Sequence, residues 1–228
     1  LIYLILLASV GSIDNINIYN LNYFEIKNIF VSGLQNNDNL LITEEINKLN
    51  LENIFFINKL NVKNVIEQNN LIENYKIFKK YPSTLEIKIN KTSFLAKIKK
   101  NDNEFIIGSN GKYLKNTFET SQLPYIFGNP EIREFIEFKK KIDESNIAYE
   151  QIKNLYFFKS KRWDLELKNN IIIKLSKNYA EDSLDLAFEF LNNQNFKDIK
   201  IIDTRIRNQI ILNGWRNRLR NLLKFIKV

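Results

Sequence analysis

Tyr81-Pro82-Ser83-Thr84-Leu85-Glu86-Ile87-Lys88-Ile89 is the stretch on which the fold turns. Pro82 cannot continue a backbone ladder, and it biases Tyr81 towards an extended conformation. From Leu85 onward the pattern alternates strictly. Leu85, Ile87 and Ile89 fall on one face of a strand, and Glu86 and Lys88 on the other. Residues before this strand form a small mixed α/β unit that it completes. Residues after it form a larger, mostly β unit into which it leads. Tyr81, Pro82 and Leu85 are therefore expected at the junction of two domains.

Upstream, Phe24 to Gly33 alternates as a strand and ends on glycine. Thr43-Glu44-Glu45-Ile46 reads as a helix start, because Thr can cap a helix and carboxylates favour its positive end. Ile42, Ile46 and Leu49 supply the apolar stripe. Asn53 to Ile57 is a short apolar connector. A second helix is expected over Asn61 to Gln68, with Val62, Val65 and Ile66 inward. Glu73 to Lys80 is a strand onto which the opening stretch pairs back. The order is strand, helix, helix, strand, strand.

Downstream, short strands alternate with turns. Phe94 to Lys99 and Glu104 to Ile107 are strands joined by Asn101-Asp102-Asn103, and Ser109-Asn110-Gly111 is a second turn. Leu123 to Gly128 is an extended apolar segment. Ile132 to Ile142 is expected as a helix. Strands follow at Ile152 to Phe158, Arg162 to Leu167 and Ile171 to Leu175. Ala180 to Leu191 is expected as a helix with Leu184, Ala187, Phe188 and Leu191 inward. Ile199 to Ile206 and Gln209 to Leu212 are the last strands. No repeat of 20 to 50 residues recurs, which excludes a solenoid.

The totals bound the chemistry. The 228 residues suit two modest domains, and 44% hydrophobic content is enough for real cores. Ile, Asn and Lys are over-used in core and surface positions alike, the mark of nucleotide bias. The net charge of +8 is spread along the chain, with no nucleic-acid-binding motif, so no nucleic-acid partner is expected. Histidine and cysteine are absent, which removes the Ser-His-Asp triad, thiol nucleophiles and nearly all zinc sites. Glu134, Glu137, Asp143 and Glu144 could in principle form an acid/base pair, but they sit on or just after a charged helix and read as solvated surface. No catalytic residue, cofactor or metal is expected.

The two ends differ from the middle. Leu1 to Val10 is nearly all apolar. Together with Gly11 to Ile13 it is shorter than the roughly 20 residues that span a bilayer. Methionine is also absent, so residue 1 is expected not to be the start of the gene product. Residues 1–13 are then read as the distal end of a transmembrane helix. A signal-peptide core and an amphipathic or buried helix are the other readings. At the other end, Trp215, Leu219, Leu222, Leu223 and Ile226 fit one helical face, with Arg216, Arg218, Arg220, Lys224 and Lys227 around the rest. Residues 216–228 thus form a basic tail that could lie on an anionic membrane, dock on a partner or pack on its own domain.

These residues resemble a family. The strand-helix-helix-strand-strand unit is similar to a POTRA domain. Tyr81-Pro82-x-x-Leu85, Leu123-Pro124 with Gly128, Arg162-Trp163-Asp164-Leu165-x-Leu167 and Ile202-Asp203-Thr204-Arg205 come in the order and spacing of the bacterial cell-division FtsQ/DivIB family. The likeness covers roughly Phe24 to Trp215. Departures are Lys91-Thr92-Ser93-Phe94, where the family often has Glu-Arg-x-Pro, and Asp203-Thr204-Arg205, where it usually has Asp-Leu-Arg. The resemblance implies an α+β protein: an N-terminal POTRA-like β-α-α-β-β domain over residues 22–92, then a larger, mostly antiparallel β domain with flanking helices over 93–215.

It further implies a non-catalytic, single-pass scaffold of the cell inner membrane at the division septum, its bulk periplasmic. Its partners would be FtsB–FtsL-type membrane coiled-coil proteins and other divisome proteins. By motif position the partner-binding residues are Arg205, Ile206, Ile210, Leu212, Gly214 and Trp215. A final strand is often an edge strand that can accept an added partner strand, and Trp is enriched in binding hot spots. Against that, Ile210 and Leu212 could be plain core, with Trp215 a lid. The competing function is a POTRA-containing component of a protein translocation or outer-membrane assembly system, which would need repeated POTRA units or a β-barrel.

Overall fold

The computed structural model describes residues 2, 3, 5, 24–115, 122–192 and 199–213, and the chain divides into two compact units between Thr92 and Ser93. The expected spacer at Asp14 to Asn22 and the basic tail at 216–228 lie outside the described residues. Of the expected membrane segment, Ile2, Tyr3 and Ile5 are described. They are helical and exposed. No helix among the described residues is long and apolar enough to cross a membrane.

The first unit contains β1 (Asn28–Ser32), α1 (Asn36–Asn47), α2 (Lys59–Glu67), β2 (Ile72–Lys80) and β3 (Thr84–Lys91), in the expected order. β3 is the central strand. It pairs parallel with β1, Ile29 opposite Leu85, and antiparallel with β2, Ile77 opposite Ile87. Its inward residues Leu85, Ile87 and Ile89 meet Ile42 and Ile46 of α1 and Val62 and Ile66 of α2 in one core. Tyr81-Pro82, a cis peptide, forms the turn of the β2–β3 hairpin within this unit. The division of the chain follows the end of β3.

α1 starts well before the expected cap. Thr43 sits inside the helix, and its hydroxyl donates to the Asn39 carbonyl at 2.8 Å. The side chain of Asn39 exchanges hydrogen bonds with both backbone groups of Leu34 (3.1 and 3.0 Å), which anchors the first turn despite the poor helix formers at Asn36 to Asn39. α2 starts at Lys59 because the Asn58 side chain accepts from the amides of Leu60 (3.0 Å) and Asn61 (3.4 Å). At the end of β1, Gly33 has φ +116°, and a Cβ there would lie 1.8 Å from the Ile89 carbonyl oxygen. Only glycine allows this approach.

The second unit is built on a nine-stranded mixed sheet in the order β12-β11-β10-β9-β8-β7-β4-β5-β6. The strands are β4 (Phe94–Lys100), β5 (Asn103–Gly108), β6 (Tyr113–Lys115), β7 (Tyr125–Phe127), β8 (Ile152–Phe157), β9 (Trp163–Leu167), β10 (Ile172–Lys174), β11 (Ile201–Asp203) and β12 (Ile211–Asn213). Five of its eight ladders are antiparallel; β4–β7, β7–β8 and β10–β11 are parallel. α3 (Ile132–Glu144) and α4 (Ala180–Leu191) contribute to the same core as the sheet.

A single row crosses seven strands in register: Ile98, Ile126, Leu155, Leu165, Ile173, Ile202 and Leu212. From Ile98 to Ile202 each is at most 1% exposed. α3 adds Phe135, Phe138 and Ile142, and α4 adds Leu184, Ala187 and Phe190. The expected stripe of α4 is rotated slightly. Phe190 is buried, while Phe188 and Leu191 are half-buried against the core. Trp163 reads into this core, stacked on Phe138 with centroids 4.7 Å apart and planes 5° apart. Its neighbour Asp164 points to the opposite side of the strand, as alternation requires.

Candidate functional site: the C-terminal sheet edge

The expected partner-binding stretch starts where β11 ends. β11 runs only to Asp203, short of the expected Ile206. Thr204 is 1% exposed. Its amide and hydroxyl both donate to the Lys174 carbonyl, at 2.9 and 3.0 Å, and its own carbonyl accepts from the Ser183 hydroxyl at 3.1 Å. These bonds tie the end of β11 to β10 and to the first turn of α4.

Asp203 and Arg205 flank that clamp. The Arg205 guanidinium donates from Nε at 2.8 and 3.0 Å and from Nη2 at 2.6 Å to the Asp203 carboxylate, and the Arg205 amide donates to Oδ1 at 3.2 Å. Burial pushes the Asp203 carboxyl up, but the hydrogen bonds and charge of Arg205 outweigh it, and the group ends below the usual carboxylate range. Lys174 lies in register between Asp203 and Asp164. Asp164 pairs with Arg162 (3.1 and 3.3 Å) and accepts from the Leu175 amide at 3.4 Å. There burial dominates and holds the carboxyl above its ordinary range. The Asp164 carboxylate thus ties β9 to the end of β10, and the Asp203 carboxylate holds Arg205 just beyond β11.

The chain then turns through Asn208, at φ +56°, and returns as β12, antiparallel to β11 with Leu212 opposite Ile202 and Ile211 opposite Asp203. β12 is the last strand of the described sheet, and no strand among the described residues pairs with its outer side. The expected site residues separate by this register. Ile210 and Leu212 are half-buried and pack against the core. Ile206 is 51% exposed, and Arg205 is committed to Asp203. Gly214 and Trp215 lie outside the described residues. Ile211, which the sequence pattern did not single out, is 49% exposed. Its signal was there only as the middle member of Ile210-Ile211-Leu212, which alternation places on the face opposite its neighbours.

Tyr81 is exposed, Pro82 half-buried in the hairpin turn, and Leu85 fully buried in the first core. The acidic residues of α3 are individually partnered: Glu137 with Arg133 (2.9 Å), Asp143 with Lys139, Glu144 with Lys140 (3.6 Å) and Glu134 with Lys161 (2.9 Å). The hydrogen bond from Lys161 holds Glu134 below its usual range, opposite to what a general acid needs. No group of three metal-ligating side chains occurs among the described residues.

A β-α-α-β-β unit followed by a helix-backed mixed sheet defines a two-unit α+β protein. Comparison with known proteins agrees. Residues 24–91 match the model of the FtsQ-type POTRA domain, and residues 96–205 match the C-terminal domain of cell division protein FtsQ/DivIB. Cell division protein FtsQ of Rickettsia bellii is 27% identical over 194 residues, covering 79% of this chain and 70% of its own. The Rickettsia typhi protein of the same name is 27% identical over 206 residues, covering 84% and 73%. The major extracytoplasmic domain of the trans isomer of DivIB from Geobacillus stearothermophilus overlays 47% of this chain and 99% of its own, at 12% identity and a TM-score of 0.34, too partial to add weight. The chain belongs to the FtsQ/DivIB family of bacterial cell division proteins.

Proposed function

We propose that the chain is a non-catalytic, membrane-anchored scaffold of the division machinery. Its second unit binds FtsB–FtsL-type membrane coiled-coil proteins by adding a partner strand to β12. The bulk of the chain lies in the periplasm at the septum, anchored to the inner membrane through the apolar segment at residues 1–13. The first unit serves recruitment of other division proteins. The carrying observation is the edge itself. β12 is the outermost strand of the described sheet, with Ile211 and Ile206 exposed beside it and the Asp203–Arg205 pair stiffening its approach. An edge strand donates and accepts main-chain hydrogen bonds in register, and exposed apolar side chains next to it give the added strand something to bury. Trp215 follows β12 by two residues in sequence, and Trp is the residue type enriched in binding hot spots.

The alternative, a component of a translocation or outer-membrane assembly system, is not favoured, since the POTRA match is of the FtsQ type and the second unit matches FtsQ/DivIB. The test is a membrane pull-down with the tagged chain. FtsB and FtsL are expected to co-purify, and Trp215→Ala is expected to weaken their retention with the fold intact. Recovery of translocation components without FtsB or FtsL sinks the proposal.

A further inference from the structure

One end of the first unit carries a cluster of exposed aromatic rings that neither its core nor its sheet uses. Phe24 and Phe55 meet edge to face at 4.8 Å, and Phe55 stacks on Tyr81 at 5.0 Å. Phe56 projects beside them. Phe55, Phe56 and Tyr81 are 48%, 86% and 58% exposed. The backbone holding them is rigidly tied. The Asn53 side chain accepts from the Phe55 amide at 2.9 Å, the Ile54 amide donates to the Phe24 carbonyl at 3.0 Å, and Lys79 Nζ donates to the Phe55 carbonyl at 3.1 Å. The Lys27 amide donates to the Ser83 carbonyl at 2.9 Å, which sets Lys27 beside the Tyr81 turn. Exposed Leu60 and Lys59 continue the patch, lining one groove with Ile57 and Lys79. Glu25 and Glu52 are the acidic neighbours in sequence, against Lys27, Lys59 and Lys79, while Lys80 is paired with Glu86 at 3.0 Å.

We propose that this aromatic end of the first unit rests on an anionic lipid surface. Three observations favour lipid. The patch mixes rings with lysines, the composition that settles at a membrane interface, where rings bury and lysine heads reach the phosphates. Phe24, a member of the cluster, is also where the chain from the apolar segment arrives. Only the ten residues Asp14 to Tyr23 separate it from that segment, a reach of about 36 Å at most at ~3.6 Å per residue. Finally, Ile2, Tyr3 and Ile5 of the apolar segment are helical and 75%, 84% and 64% exposed. A ring-and-lysine patch that begins ten residues after the apolar segment in sequence orients the unit with its aromatic end down. This inference rests on the membrane-anchored reading above.

The chain has no cysteine, so a single Glu52→Cys beside the patch, or Asn37→Cys at the start of α1 as a control, can carry an environment-sensitive fluorophore. The full chain is reconstituted into phosphatidylglycerol/phosphatidylethanolamine vesicles and floated. The expected result is flotation, with a blue shift and several-fold brightening at position 52, no change at position 37, and loss of the signal in 0.5 M salt. Phe55→Ser combined with Phe56→Ser is expected to abolish the shift at position 52 while flotation persists. Failure to float removes the anchored reading and this inference with it. Flotation with equal, water-like emission at 52 and 37 overturns the docking alone. So does a shift that survives the double substitution, or one that needs an added protein partner.

Discussion

The Arg205 guanidinium closes on the Asp203 carboxylate two residues back, with three side-chain contacts between 2.6 and 3.0 Å, across a buried Thr204. That pair sits where β11 ends, ahead of the turn that leads to the edge strand. It also gives the edge a pH dependence. The Asp203 carboxyl titrates below its unfolded value near ~4, so the stability it contributes is fully present above that value and lost as pH falls through the folded one. Glu166, held down by Asn154, Tyr156 and Lys153, acts in the same direction. Asp164, held up by burial, acts oppositely and costs stability as pH rises past ~4. In Asp203→Asn the acid-side loss should shrink, and the variant should be less stable than the parent by about 1–2 kcal/mol at pH 7. Urea unfolding of the second unit between pH 3 and pH 7 measures both. An unchanged acid limb in the variant contradicts the assignment.

Ile211→Lys should separate binding from folding. At 49% exposure, Ile211 is replaced at a stability cost below about 1 kcal/mol. A lysine at the edge opposes strand addition, so FtsB–FtsL retention should fall at least tenfold. Leu212→Ala, which truncates a half-buried residue, should instead lower stability by about 1–2 kcal/mol. Equal retention by Ile211→Lys and the parent argues against β12 as the docking edge.

Gly33→Ala should be among the most damaging single-methyl additions in the first unit. It combines a φ of +116° with a Cβ 1.8 Å from the Ile89 carbonyl oxygen on the central strand. Relief requires β1 to move off β3, so a loss of about 2 kcal/mol or more is expected. The midpoint of urea unfolding followed by a first-unit probe reads this directly.

Leu85→Ala tests how far the two units unfold independently. Leu85 is fully buried, and its core partners all belong to the first unit. Truncation should cost that unit about 2–5 kcal/mol. The second unit's transition, followed by Trp163 fluorescence, should stay in place. A matching shift in both transitions means that β3 couples the units as well as completing the first.

Much of this protein was settled by the order of its residues. Leu85-x-Ile87-x-Ile89 alternates because one face of β3 is buried and the other wet. Val62 and Ile66, or Leu184 and Ala187, recur at helical spacing for the same reason. Those periodicities, with turn chemistry at Asn101-Asp102 and Asn110-Gly111, carried the element order and the two-unit plan. They are local consequences of burial, so they survive in a single sequence. The start of α1 escaped because Thr43-Glu44-Glu45 has the composition of a cap, while the side chain that holds the first turn, Asn39, acts on Leu34. The parallel pairings of β7 with β4 and β8 were also illegible. Parallel neighbours are distant in sequence and leave no turn signature between them. The edge was decided in the same way. Ile210, Ile211 and Leu212 are interchangeable as letters. Only the register of Leu212 against Ile202, imposed by the Thr204 clamp and the core beneath it, turns Ile211 outward and its neighbours in.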